Sequence, residues 1–348
     1  MGAFLEKPKT EKHGESGGGN GIRYGVCSMQ GYRVEMEDAH VAKTELSGEF
    51  SSWSYFGVFD GHAGCRVSEL CADKLLDEFK KMSKLQSQPL EHELVRNGIV
   101  KGFLDFDHYL EAENSNERSG STAVVAFVTP THIILGNCGD SRAVLVKNNQ
   151  PVVVTEDHKP YLPAEQDRIS NAGGSVVLCR VNGSLAVSRS LGDFEYKQVQ
   201  GKSAIEQLVS AEPDVTIIER QKDQDQLLIL ACDGVWDVYS NQELCDYVLQ
   251  RLSCVASLER VSAEILDTSL HKGSRDNMSI LLVSLDKAPS VDPDASLKDK
   301  ELDAQIQSAI KDILDNTSHK FDCSVDYVAG VIDSMELTNY PPGGMITK

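Results

Sequence analysis

Four short apolar runs of this chain open or close on acidic residues. Ser54–Phe59 runs into Asp60-Gly61-His62-Ala63-Gly64, and Ile133–Leu135 leads on to Gly139-Asp140-Ser141. Gln226–Cys232 runs into Asp233-Gly234-Val235-Trp236-Asp237, while Arg275-Asp276-Asn277 opens the run Met278–Val283. Apolar runs of this length, bounded by Gly and Asp, read as buried strands. Their carboxylates then gather at one rim of a β-core, where repulsion is costly unless cations neutralise it. The chemistry this predicts is a carboxylate-lined site for hard divalent metals.

Each signal has a blander reading. Asp60 could bridge two metals, Gly61 lets its carbonyl approach a cation, and His62 titrates near neutrality and could protonate a leaving oxygen. Alone, Asp-Gly-His is a turn; only the company of the other acids favours the metal reading. Asp233 repeats the geometry on a more apolar strand, with Asp237 one turn later, against the alternative of a helix N-cap. Asp276 and Asp140 would each, alone, be turn residues. Arg33, Glu35 and Glu37 share one face if Arg33–Asp38 is a strand, so an Arg suited to phosphate lies beside acids, unless this is a salt-bridged edge. Cys27 to Arg33 matches the Cys-x5-Arg spacing of thiolate phosphatases. Cys245 to Arg251 and Cys254 to Arg260 match it too, and Val26 and Gln30 depart from that motif, so it is set aside.

The elements that must position these residues are legible in outline. Val67, Cys71, Leu75 and Phe79 stripe one helix, and Val95, Ile99, Phe103, Phe106 and Leu110 a second. The capping box Ser240-x-x-Glu243 opens a third helix, and Leu258, Val261 and Ile265 stripe a fourth. Short turns join Ser121–Val128 to His132–Cys138, and Asn182-Gly183 joins Val176–Val181 to Leu185–Ser188 as a hairpin. The prediction is an α+β fold, a four-layer αββα sandwich of two antiparallel sheets flanked by helices. Residues 1–20, rich in Lys, Glu and Gly, read as a flexible tail, and residues 21–287 as the main domain. Residues 288–296 read as a linker, and 297–348 as a helical appendage striped by Leu302, Ile306, Ile310 and Ile313 and by Val325, Val328, Ile332 and Met335. Asp292-Pro-Asp294 only weakly echoes a calcium loop, since Leu297 replaces the required Gly.

The 348 residues carry a formal net charge of −19, which disfavours nucleic acid and anionic membrane as partners. Nine scattered Cys without a CxxC pair indicate neither disulfides nor structural zinc. No apolar run approaches the roughly 20 residues that span a bilayer, and no signal peptide follows Met1, so a soluble intracellular protein is expected. Met1-Gly2-Ala3-Phe4-Leu5-Glu6 partly fits a myristoylation start, with Glu6 where Ser or Thr is usual.

Together, Arg33-x-x-x-Glu37-Asp38, Phe59-Asp-Gly-His-Ala-Gly64, Ser119-Gly-Ser-Thr-Ala123, Asn137-Cys-Gly-Asp-Ser-Arg142, Ala231-Cys-Asp-Gly-Val-Trp-Asp237 and Gly273-Ser-Arg-Asp-Asn277 resemble the metal-dependent Ser/Thr protein phosphatases of type 2C. The resemblance covers about residues 20 to 285, in order. The start and the Pro341-Pro-Gly-Gly344 tail resemble the animal alpha/beta subgroup. It implies a binuclear Mg2+ or Mn2+ centre held by Asp60, Asp233, Asp276 and the Gly61 carbonyl, with Glu37 and Asp38 holding metal-bound waters. It further implies Arg33 on the phosphate, His62 as general acid, and Asp140 and Asp237 on a weaker third metal shared with Asp233. Lys159 to Gly201, including Arg180, matches the flap (about 159–201) beside the substrate groove. The implied activity is hydrolysis of phosphoserine and phosphothreonine in proteins by a water or hydroxide bridging two metals, without a covalent intermediate. The alternative is a silent phosphoprotein-binding scaffold. A monomer, cytoplasmic and nuclear, with membrane contact only through acylated Gly2, completes these expectations.

Overall fold

The computed structural model describes residues 4–81, 90–316, 325–335 and 337. Gly2, the expected acylation site, and the Pro341–Gly344 segment lie outside the described residues. Two antiparallel sheets form the core. The six-stranded sheet runs, edge to edge, Phe4–Gly19, Ile22–Arg33, Met278–Ser284, Asp225–Ala231, Arg142–Lys147 and Gln150–Val154. The five-stranded sheet runs Asp214–Glu219, His132–Cys138, Ala123–Val128, Ser54–Phe59 and Ala39–Lys43.

The sheets meet through side chains that alternate along each strand: Val26, Val58, Val124, Leu135, Leu145, Leu230 and Leu281 share one cluster between them. The opposite residues of the same strands face helices. Tyr55, Val125 and Ile134 pack against the helices Arg66–Lys80 and His92–Glu113, whose expected stripes are all buried. Ile229, Ile280 and Val144 pack against Asn241–Cys254 and Leu258–His271. The capping box works as expected, with Ser240 Oγ accepting from Glu243 N–H and Glu243 accepting from Ser240 N–H. The four-layer αββα arrangement is thus the fold. No helix among the described residues is long and apolar enough to cross a membrane.

Several boundaries differ from the expectation, each for a local reason. The supposed tail is, over Phe4–Gly19, an edge strand paired with Ile22–Arg33. Its Lys, Glu and Gly content suits an edge, where charge discourages further pairing. Lys12 Nζ to Asp267 (2.7 Å) and Ser16 Oγ to Glu259 (3.0 Å) tie it to the Leu258–His271 helix. The supposed linker already holds the start of the helix Pro293–Asn316, because Asp292 caps it by accepting from Asp294 N–H, with Pro293 in the first turn, where a missing N–H costs nothing. The Val176–Ser188 hairpin turns twice. Val176–Val177 pairs with Arg180–Val181 around Leu178-Cys179, and Asn182-Gly183 makes a second turn closed by a single Val181–Leu185 bridge. Leu178 and Cys179 hold positive φ without being Gly or Asn, which is why the sequence did not mark that turn.

The C-terminal helices Pro293–Asn316 and Val325–Asp333 have a small core of their own, Leu302, Ile306, Ala309, Ile313 and Ile332. A polar clamp fastens it to the main body: Arg251 donates to both Glu264 and Asp299.

Helix Leu258–His271 rests directly on the strand beneath it. A Cβ added at Gly25 would lie 2.2 Å from the Glu259 amide nitrogen and 2.4 Å from the Leu258 carbonyl carbon. Gly25→Ala is therefore expected to destabilise the fold by roughly 3 kcal/mol, since backbone rather than a flexible side chain must move. An unchanged urea midpoint would contradict this packing.

Candidate metal centre

In an antiparallel sheet, the end of one strand lies beside the start of the next. The end of Ile22–Arg33, the start of Met278–Ser284 and the end of Asp225–Ala231 therefore share one rim. The end of Ser54–Phe59, the start of Ala123–Val128 and the end of His132–Cys138 share the matching rim of the other sheet. Arg33, Asp276, Asp233, Asp60 and Asp140 stand at those positions. They converge on a cavity of about 330 Å³ lined also by Glu37, Gly61, His62, Thr122 and Arg180.

Carboxylate oxygens of Asp60, Asp140 and Asp233 lie within 4.8 Å of one another, and so do ligand atoms of Asp38, Asp60 and Cys232. Burial and mutual repulsion push the pKa of Asp60 and of Asp233 well above the usual carboxylate range, and burial pushes Asp38 up to about 7. Asp38 Oδ2 accepts from Ser279 Oγ at 2.7 Å, whereas its buried Oδ1 has no partner. Such a set of hard oxygen donors, crowded together and with Asp38 Oδ1 unpartnered, fits hard divalent cations. Asp237, beyond the single turn Asp233–Trp236, is not among the cavity-lining residues, but Asp140, Asp276 and Lys159 all act on its charge.

Local structure fixes these groups. The segment after Arg33 is not the continued strand expected: the strand ends at Arg33, and Glu35 is exposed. Asn277 shapes that loop instead, donating to Gln30 O and Glu35 O and accepting from Glu37 N–H. A Cβ on Gly234 would lie 2.0 Å from Asn277 O, so only glycine lets the Asp233 turn come this close. Arg33 Nη2 donates to Asp276 Oδ2 at 2.5 Å, while its buried Nε–H has no partner. Arg33 thus brings a positive charge to the wall of the acidic cavity.

Two partners went unnoticed in the sequence. His62 Nε2 lies 2.7 Å from Asp193 Oδ2, with Asp193 left-handed (φ 53°) after Gly192. Burial alone would lower the His62 pKa, but the Asp193 carboxylate outweighs it and leaves the pKa raised. Lys159 Nζ lies 2.5 Å from Asp140 Oδ2, so one flap residue supplies a positive charge at the acidic rim. The rival cysteine is inert: Cys27 is buried and burial pushes its thiol up to about 11.

Comparison with known proteins agrees with this geometry. The protein phosphatase 2C family profile matches residues 22–278, and that of the protein serine/threonine phosphatase 2C C-terminal domain matches residues 279–348. The chain is 50% identical to human protein phosphatase 1B over 99% of its length and 74% of that protein. It is 49% identical to bovine protein phosphatase 1A over 100% of its length and 92% of that protein. Among solved structures, a phosphatase from Toxoplasma gondii superposes with a TM-score of 0.69 at 25% identity, covering 79% of this chain and 96% of that one. With the acids, the arginine and the family profile all falling in the same region, the chain belongs to the protein phosphatase 2C family and is a metal-dependent protein serine/threonine phosphatase.

Proposed function

We propose that this chain, as a monomer, removes phosphate from phosphoserine and phosphothreonine in proteins in one in-line displacement by water, with no phospho-enzyme. The observation that carries the reading is the acid cluster of Asp60, Asp140 and Asp233 in a cavity that also holds Arg33 and His62. The cavity-lining residues include no cysteine, and their one hydroxyl, on Thr122, is engaged with Ser141 Oγ and Asp60 N–H.

In this reading Asp60, Asp233, Asp276 and the Gly61 carbonyl would hold two Mg2+ or Mn2+ ions, with Glu37 and Asp38 serving their water shell. Asp140 and Asp237 would serve a weaker third ion, for which Lys159 is the resident competitor. Bound cations supply charge neutralisation of the phosphoryl dianion and a nucleophile at neutral pH. Arg33, held at Nη2 by Asp276, offers its remaining donors to the phosphoryl oxygens and orients them. His62, whose protonated form Asp193 favours, gives its proton to the departing alkoxide, which is too basic to leave unprotonated. Arg180, whose Nη1 donates to Ser184 O, borders the cavity, where it would meet a peptide substrate.

Asp60→Ala and Asp233→Ala are expected to lower kcat on a phosphothreonine peptide by at least about 10³-fold, and chelation should abolish turnover. Activity that survives complete chelation would refute the mechanism. His62→Gln should cost about 10²-fold on that peptide and much less on p-nitrophenyl phosphate, whose leaving group needs no proton. The acid must carry its proton, so activity falls as pH rises through the His62 pKa. Because Asp193 raises that pKa, Asp193→Asn should move the alkaline limb of the kcat profile to lower pH. A limb that stays in place would remove Asp193 from the mechanism.

A further inference from the structure

Phe4 is an exposed aromatic residue at the tip of the edge strand, 47% accessible, yet it lines the catalytic cavity with Arg33, Asp60 and Asp233. Its placement follows from an irregular ladder. From Gly19 back to Lys12 the pairing with Ile22–Arg33 is regular, and continued in register it would set Pro8 opposite Arg33. Two slips, one on each side of Lys9, bring Phe4 there instead. Extra residues of this kind bend a strand and re-aim its side chains, and they recur beside active sites. The result is a Phe4 ring whose centroid lies 5.9 Å from the Arg33 guanidinium carbon.

Arg33 is therefore restrained twice. Asp276 holds one end of the guanidinium, and the Phe4 ring attracts it by cation–π contact. The side chain lines the acidic cavity, so a guanidinium held in this way borders the space an anion would enter. A long side chain that loses less rotamer freedom on binding gives more affinity for the same hydrogen bonds.

We infer that Phe4 is a positioning residue for Arg33: its ring holds the guanidinium ready for the phosphoryl group, so the edge strand forms one wall of the substrate site. The inference rests on the reading of Arg33 as the phosphate-binding group and extends it to a residue outside the family's acidic motifs.

The test measures competitive inhibition by inorganic phosphate and KM for a phosphothreonine peptide, both at saturating Mn2+, in Phe4→Ala, Phe4→Leu, Phe4→Trp, Arg33→Ala and the Phe4→Ala/Arg33→Ala double variant. Phe4→Ala and Phe4→Leu should weaken phosphate inhibition and raise KM about three- to fivefold, with kcat within about twofold of wild type. Phe4→Trp should restore both, because it keeps a π face where Leu keeps only bulk. In the Arg33→Ala background, Phe4→Ala should change nothing further. Melting temperatures of the Phe4 variants should match wild type, since the ring is half exposed at a strand end. If Arg33→Ala itself leaves phosphate inhibition unchanged, the reading of Arg33 fails and the inference with it. If Arg33→Ala weakens inhibition but Phe4→Ala does not, or costs the same factor with and without Arg33, the inference alone fails.

Discussion

Repulsion among carboxylates at one rim of the sandwich is the constraint on which the rest of this structure depends. Asp60, Asp140 and Asp233 bring their oxygens within 4.8 Å of one another, and Asp38 and Asp276 add to the same field. At such separations like charges in a partly dry pocket cost several kcal/mol each, far more than surface acids do. Only two responses are open to the protein, to take up protons or to hold cations. The raised pKa values of Asp38, Asp60 and Asp233 express the first, and the family's metal dependence is the second. Arg33 and Lys159 offset part of the charge from within the chain, and both approach the acids without entering the core.

The sheets make this crowding affordable. Two antiparallel ladders place alternate strand starts and ends at a common rim, so residues distant in sequence meet without any long excursion of the backbone. Both sheets are packed on both faces, by each other and by the outer helices, so the rim is rigid enough to hold groups that repel. Asn277 and the close Gly234 contact then lock the Arg33–Asp38 loop against the Asp233 turn. The same side chains that shape the backbone here hold the acids at their separations.

Much of this was legible from residue order. The helices declared themselves through 3.6-residue stripes, and the Asp60, Asp233 and Asp276 positions through Asp-Gly or Asp-Asn at the ends of apolar runs. What escaped depends on long-range geometry. Asp193 stands 131 residues from His62, and its only signal was a Gly-Asp pair behind the flap hairpin. The edge strand resembles a tail because Lys, Glu and Gly suit an exposed sheet edge and a solvated tail alike. The Phe4–Arg33 contact depends on two register slips that no periodicity reveals. Asp292-Pro293 is a loop signal by local propensity, yet here it caps a helix. In each case a local propensity was sound and a tertiary contact decided its use.

The central claim, that these acids destabilise the fold until cations relieve them, is tested most directly by melting metal-free wild-type and Asp60→Asn proteins at pH 8 with and without Mn2+. Asn keeps the shape of the side chain and removes one charge from the cluster. The account predicts a higher melting temperature for metal-free Asp60→Asn than for metal-free wild type, a saturable rise of the wild type with Mn2+, and loss of most of that rise in the variant. A wild type indifferent to Mn2+, or a variant that melts lower without metal yet responds to it fully, would contradict the account.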